Sequence, residues 1–109
     1  MVKSDALRKR YILFELKGVV LDNDQLKKAI QLEALKFFGE FGMSYAALKL
    51  VQFDTTTKLG ILRCERSYLE KVLGFLALVN SLNGKEARLI SRKSSGTIKS
   101  LGQRRLNPA

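Results

Sequence analysis

Near its start the chain reads Arg10-Tyr-Ile-Leu-Phe-Glu-Leu-Lys17, the stretch that decides the fold. It is rich in β-branched and aromatic residues and therefore predicts a β-strand. The alternation of its side chains places Ile12 and Phe14 on one face of the strand and Tyr11 and Leu13 on the other. Because a bare apolar sheet face is rare, we expect helices to cover the first face. A C-terminal segment or a partner is expected to cover the second.

The first predicted helix begins at Asp22, where an aspartate followed three residues later by a glutamine resembles a capping box. Its apolar residues recur at steps of three and four as a single stripe, and Gly39–Gly42 marks its end. Leu32 and Leu35 fall off this stripe. They are either scattered surface leucines or a contact with a partner.

The second predicted helix begins at the capping box Ser67-Tyr-Leu-Glu70 and runs through Leu82, with Asn83-Gly84 as its stop signal. Its apolar residues extend beyond the ~100° stripe of a surface helix. The helix is therefore covered on more than one side. The cover is either deep core, between the sheet and the first helix, or a protein–protein interface.

Three further strands are predicted at Ala46–Phe53, Lys58–Glu65 and Glu86–Arg92, with a hairpin at Asp54–Thr57 between the first two. The resulting order is β-α-β-β-α-β. This order predicts an α+β fold of the ferredoxin-like (RRM-like) kind, a two-layer sandwich with a four-stranded antiparallel sheet and both helices on one face. Residues 97–105 form either a short extra C-terminal helix or a tail.

The positive charge lies at the two ends of the chain. The 109 residues include 20 basic and 10 acidic ones, for a net charge of +10. Residues 1–10 carry a net +3, residues 85–109 a net +6, and everything between them a net +1. We therefore divide the chain into a flexible basic N-terminus (1–9), a ferredoxin-like α/β domain (10–93) and a basic C-terminal segment (94–109).

The composition excludes several classes of site. The chain has no histidine and one cysteine, Cys64, so a histidine-based triad, a Cys/His zinc site and an internal disulfide are ruled out. Cys64, beside Arg63, is either an activated thiol or, without a histidine base, a structural cysteine. The loop Lys17–Asp22 lacks the arginine that small acylphosphatases of this strand order carry there. We expect no catalytic residue, cofactor or metal in this chain.

No apolar run reaches the ~18 residues of a membrane span. The N-terminus also lacks the apolar core of a secretory signal. A cytoplasmic protein is expected.

Clustered lysine and arginine favour a polyanionic partner, because they neutralise phosphates. Base stacking is disfavoured, since the third strand carries no aromatic residue to match Tyr11. We expect the first and last strands to be separated by other strands, which leaves open whether the two basic ends form one patch. The charge pattern gives as candidate contacts Arg8, Lys9, Arg10, Arg92, Lys93, Lys99, Arg104 and Arg105.

Four strings then occur in a characteristic order and spacing: Arg10-Tyr-Ile-Leu-Phe-Glu-Leu16, Phe38-Gly-Glu-Phe-Gly42, Gly60-Ile-Leu-Arg-Cys-Glu-Arg66 and Ser95-Gly-Thr-Ile-Lys99. Together they resemble the ribonuclease P protein component 2 family of archaea, shared with the small eukaryotic ribonuclease P and MRP subunit. The resemblance implies a non-catalytic subunit of the ribonucleoprotein that removes the 5′ leader of precursor tRNA. The RNA subunit would perform the hydrolysis with magnesium ions. The alternative is a generic basic RNA-binding or ribosome-associated domain with no role in tRNA processing.

The resemblance also implies partners, and we add contact residues to them as hypotheses. The partners are the catalytic RNA, precursor tRNA through the complex, ribonuclease P protein component 3 and a second copy of the chain within a heterotetramer. Its strings add as RNA contacts Arg63, Arg66, Ser95, Gly96, Thr97 and Lys99. Arg63 and Arg66 are alternatively ion-pair partners for Glu65 and Glu70, and the segment after Ser95 is alternatively a turn that caps a helix. The surfaces assigned to protein partners are Leu32, Leu35, Phe75, Leu78 and Leu82.

Overall fold

The computed structural model describes residues 8–98. Its elements in chain order are β1 (Lys9–Gly18), α1 (Asn23–Ala46), β2 (Lys49–Asp54), β3 (Leu59–Glu65), α2 (Leu69–Leu78), β4 (Ser81–Leu82) and β5 (Lys85–Ser95). The strands form one antiparallel sheet in the order β2-β3-β1-β5-β4. The predicted α+β class, with an antiparallel sheet and two helices, is confirmed. The predicted count of four strands is wrong, because β4 adds a fifth.

The main core lies between the sheet and the two helices. Ile12 and Phe14 of β1 are fully buried there, together with Leu26 and Ile30 of α1 and Phe75 of α2. Phe14 stacks on Phe53 of β2 with the two rings 6° from parallel. The predicted placement of Ile12 and Phe14 on the helix-covered face of the first strand is thus confirmed.

The side of the sheet turned away from both helices, here called the open face, holds a smaller apolar cluster. Ile61 is buried at its centre, packed with neighbours that include Leu13 and Tyr11 of β1. Ile98, which follows β5, packs on the same cluster. Ile98 is thus one residue of the C-terminal segment expected on this face, and residues 99–109 of that segment lie outside the described range.

Helix α1 begins where the sequence predicts. The Asp22 carboxylate accepts a hydrogen bond from the Gln25 backbone N–H at 2.8 Å, and the Gln25 side chain accepts one from the Asp22 N–H at 3.1 Å. The predicted end at Gly39–Gly42 is confirmed in part, as a break in the helix at Gly39. Gly39 interrupts the helix with φ 75° and ψ 174°, but the chain resumes helical geometry and continues to Ala46, where Ala47 caps it in the left-handed region. Consequently β2 begins at Lys49.

Helix α2 is shorter at both ends than predicted. A 3-10 turn spans Arg66–Tyr68, and the helix begins at Leu69 without the side-chain cap expected from Ser67. It ends at Leu78. Asn83 and Gly84, with φ 55° and 75°, form the tight turn that joins β4 to β5 rather than a helix stop. Asn-Gly with two positive φ angles is the preferred chemistry of a two-residue hairpin.

Strand β5 is longer than predicted and continues to Ser95, so the turn expected at Lys93–Gly96 begins only after it. Its inner edge pairs with β1 along nearly its whole length. On its outer edge, β4 pairs with Lys85 and Glu86, and no strand within the described range pairs with residues 88–95.

Within residues 8–98, no helix is long and apolar enough to cross a membrane.

Candidate nucleic-acid interface

The first and last long strands are neighbours, which corrects the expectation that other strands separate them. β1 pairs directly with β5, antiparallel, with Tyr11 opposite Ser95 and Leu13 opposite Lys93. Antiparallel pairing brings the start of one strand beside the end of the other. The basic beginning of the described chain and the basic end of β5 therefore meet at one end of the sheet.

The residues that meet there form what we call the end cluster: Arg8, Lys9, Arg10, Arg63, Arg66 and the segment Ser95–Thr97. The Arg66 backbone N–H donates to the Arg8 carbonyl, which holds the end of β3 beside the start of β1. Lys9 lies opposite Glu65, and its Nζ is 3.0 Å from the Glu65 Oε2. Residues that the sequence assigns to RNA from three separate parts of the chain thus lie in one place.

The described structure does not contain the ion pairs considered as an alternative for Arg63 and Arg66. Glu65 pairs with Lys9, and no ion pair within residues 8–98 joins Arg63 or Arg66 to Glu65 or Glu70. Arg63 lies opposite Tyr11 on one side and Lys49 on the other, and its Nε is buried without a hydrogen-bond partner in the described structure. Neither arginine is thus committed to neutralising these acids.

The segment after β5 forms a turn beside Arg10. The Ser95 Oγ accepts a hydrogen bond from the Thr97 backbone N–H at 3.3 Å. A Cβ added at Gly96 would lie 3.5 Å from the Arg10 Nη1, so the turn packs closely on that guanidinium. The predicted contacts Lys99, Arg104 and Arg105 lie outside the described residues.

A β-bulge places two successive basic side chains on the open face. The β1–β5 register shifts between Leu13 and Phe14, which leaves Arg92 as the extra residue between Ser91 and Lys93. Lys93 lies opposite Leu13, and Arg92 hydrogen-bonds the Glu15 carboxylate. In a regular strand, neighbouring side chains would point to opposite faces.

The Arg92 guanidinium lowers the pKa of Glu15, an effect that partial burial opposes and the nearby Lys17 reinforces.

The sequence reading missed three basic residues of the open face: Lys17, Lys49 and Arg88. Each is a single charge with no basic neighbour in sequence, so the charge pattern gave no signal. The sheet register assembles them, with Lys17 opposite Arg88 and Lys49 opposite Arg63. The pairing of strands therefore makes the basic surface larger than clustering along the chain suggests.

The helical layer is electrically balanced. Helix α1 carries three lysines and three acidic residues, and α2 carries Glu70 and Lys71. In β1 and β5, by contrast, seven basic residues stand against Glu15 and Glu86. The excess charge of the described chain therefore lies on the sheet and its ends.

Of the residues predicted to contact protein partners, three lie on the surface and two do not. Leu32 and Leu78 are 62% and 68% exposed, and Leu35 is also exposed. Phe75 and Leu82 are buried, because α2 packs Phe75 against Phe38 of α1 and the hairpin turns Leu82 into the core. The prediction missed exposed aromatic residues of α1, of which Phe41 is 83% exposed.

Cys64 has the environment of a structural cysteine. It is fully buried in the main core, and burial raises the pKa of its thiol to about 11. A thiol of this kind is not a nucleophile near neutral pH. Across the described part of the chain, no three acidic or cysteine side chains are grouped as a metal site requires.

Comparison with known proteins extends these observations. The model of the Rpp14/Pop5 family matches residues 10–106. The chain is 38% identical over 104 residues to ribonuclease P protein component 2 of Pyrococcus furiosus, covering 92% of this chain and 84% of that protein. It is 36% identical over 93 residues to the protein of the same name from Archaeoglobus fulgidus, covering 84% and 83%.

A chain of the cryo-EM structure of yeast ribonuclease MRP has a similar fold, with a TM-score of 0.66 and 10% sequence identity. The likeness covers 93% of this chain and 89% of that one.

Proposed function

The chain belongs to the Rpp14/Pop5 family, and from this we infer that it is a protein subunit of ribonuclease P, which removes the 5′ leader of precursor tRNA. The alternative of a generic RNA-binding domain is not favoured, because relatives that carry the component 2 name match most of the chain. The structural observation that carries the role is the end cluster, where the basic start of β1 meets the ends of β3 and β5 at one end of the sheet.

The end cluster is suited to RNA phosphates. Lysine and arginine side chains displace the counterions that condense on a folded RNA and bridge phosphates that otherwise repel each other. Arg8 and Arg66 are exposed there, and Arg63 lies beside Lys49 without an ion pair in the described structure. In this proposal the ferredoxin-like order predicted from the sequence, with β4 added at one edge, is the rigid frame for these side chains.

We assign the chemistry to the complex rather than to this chain. In this proposal, magnesium ions held by the RNA subunit would catalyse the hydrolysis of the phosphodiester bond. The chain itself contributes cations that favour the folded RNA, so its presence is expected to lower the magnesium concentration that the RNA needs.

The balanced helical layer is the proposed site of protein partners. Leu32, Leu35 and Leu78 offer apolar surface there, away from the end cluster. The partners we propose are ribonuclease P protein component 3 and a second copy of this chain. Separate layers for RNA and for protein would allow one small domain to hold both at once.

Reconstituted cleavage of precursor tRNA tests the function. Cleavage by ribonuclease P RNA is measured against magnesium concentration in four mixtures: the RNA alone, the RNA with component 3, the RNA with this chain, and the RNA with both proteins. We expect both proteins together to shift the magnesium midpoint of cleavage to lower concentration. Unchanged midpoints, despite RNA binding by the chain, would support the generic RNA-binding domain and contradict the subunit role.

A further inference from the structure

Lys17 and Arg88 form a pair that the end cluster does not explain. They lie directly opposite each other in the β1–β5 register, at the far end of β1 from Lys9. Side chains of opposed residues share a face, and like charges in that position repel each other. Such a juxtaposition is unfavourable by itself, and a bound anion would relieve it.

The neighbouring acids do not cancel this pair. Glu15 lies 3.6 Å from the Lys17 Nζ and is also bonded to Arg92, so one carboxylate is shared by two cations. Glu86 precedes Arg88 on β5 but forms no ion pair with it in the described structure. Lys17 and Arg92 keep about half of their side-chain surface exposed, at 55% and 48%.

The pair is well separated from the end cluster. Lys9 and Lys17 are eight residues apart on one strand, which corresponds to about 26 Å at ~3.3 Å per residue. Between the two ends, Leu13, Ile61 and Ile98 fill the middle of the open face with apolar side chains. Lys93 lies opposite Leu13 beside this apolar middle, so the basic side chains of the open face lie at its two ends and along β5.

We propose that Lys17, Arg88 and Arg92 form a second phosphate-binding cluster, here called the distal cluster, which holds the RNA backbone at the opposite end of the open face. The inference rests on the proposed function, because it takes the RNA of ribonuclease P as its ligand. The end cluster and the distal cluster together would hold two points of one folded RNA about 26 Å apart. Two such contacts fix the orientation of the protein on the RNA, which a single patch does not.

The test is a double substitution, Lys17→Gln with Arg88→Gln, in the full-length chain. Binding to the cognate ribonuclease P RNA is measured over a range of salt concentrations. Each phosphate that the variant no longer neutralises is expected to reduce the slope of log affinity against log salt by about 1. The ratio of wild-type affinity to variant affinity should therefore fall about tenfold between roughly 50 and 200 mM salt.

Two matched variants control for net charge and for folding. Lys27→Gln with Lys28→Gln removes the same charge from exposed positions of α1 and should leave the slope near that of the wild type. Lys17→Arg with Arg88→Lys keeps both charges and should bind like the wild type. Because Lys17→Gln with Arg88→Gln relieves the repulsion between these two side chains, the thermal midpoint of this variant should be no lower than that of the wild type.

Equal slopes for the distal variant and the α1 variant would overturn the proposal. So would a distal variant that binds RNA like the wild type yet fails in cleavage with component 3, since the cluster would then serve a protein. In either case the wild-type chain still binds RNA and supports cleavage. A wild type that does neither contradicts the proposed function itself.

Discussion

At the scale of single residues, Glu15 connects the two basic strands of the sheet. Its carboxylate bonds Arg92 on β5 and lies 3.6 Å from Lys17 on its own strand. These cations favour its charged form and lower its pKa. Glu15 thus keeps one lysine and one arginine side chain in place among the like charges of the open face.

Removing Arg92 should raise the pKa of Glu15. In the wild type the lowered pKa contributes stability that is present above the ordinary glutamate pKa and is lost as the pH falls through the lowered value. In Arg92→Gln the Glu15 pKa should return toward its ordinary value, and this acid dependence should diminish. Carboxyl NMR titration of both proteins measures the shift, and an unchanged Glu15 pKa would show that Arg92 does not hold it.

At the scale of elements, local signals succeed where nothing competes with them. The Asp22 box forms as predicted because both reciprocal hydrogen bonds are available at an exposed helix start. The Ser67 box does not form, since the 3-10 turn Arg66–Tyr68 occupies those residues and the helix begins after it. Asn83-Gly84 fits both a helix end and a hairpin, and the pairing of β4 with β5 decides for the hairpin.

Packing of β3 on β1 depends on a glycine. A Cβ at Gly60 would lie 2.5 Å from the Phe14 Cζ and 3.1 Å from the Gln52 carbonyl oxygen. Gly60→Ala should therefore cost about 1–3 kcal/mol, as overpacking of a filled core does. Chemical denaturation measures this change in the free energy of unfolding.

Gly74 is the matched control. It lies in α2, and a Cβ there meets nothing within 4 Å. Gly74→Ala should stabilise the chain by up to about 1 kcal/mol, because alanine is the better helix former. If the two substitutions changed stability in the same direction, the packing explanation for Gly60 would be wrong.

At the scale of the whole molecule, strand pairing rather than chain position arranges the charge. The sequence predicts that the charge lies at the chain ends, and the β1–β5 ladder brings the described parts of those ends together. Lys17 and Arg88 could not be predicted, because they become neighbours only in the register of the sheet. Phe75 and Leu82 were assigned to an interface from apolarity alone, which does not distinguish a core side from a partner side.

The arginines of the end cluster should dominate RNA affinity. Replacing Arg8 and Arg66, which are both exposed, with glutamine should reduce the salt slope of RNA binding by about 2, one for each phosphate that is no longer neutralised. Lys9 is left in place because it pairs with Glu65. Affinity measured against salt for cognate ribonuclease P RNA checks the value, and a slope unchanged from the wild type would exclude the end cluster as the contact surface.

Within residues 8–98, no strand pairs with the outer edge of β5 beyond Glu86, and this affects how copies of the chain associate. An exposed strand edge is a template for edge-to-edge aggregation, and lysine or arginine along it is a common safeguard. Arg88, Arg92 and Lys93 lie on β5, so the charges that we assign to RNA are also expected to disfavour pairing of two copies through β5. One set of side chains would thus bind RNA in the complex and keep RNA-free copies of the chain dispersed.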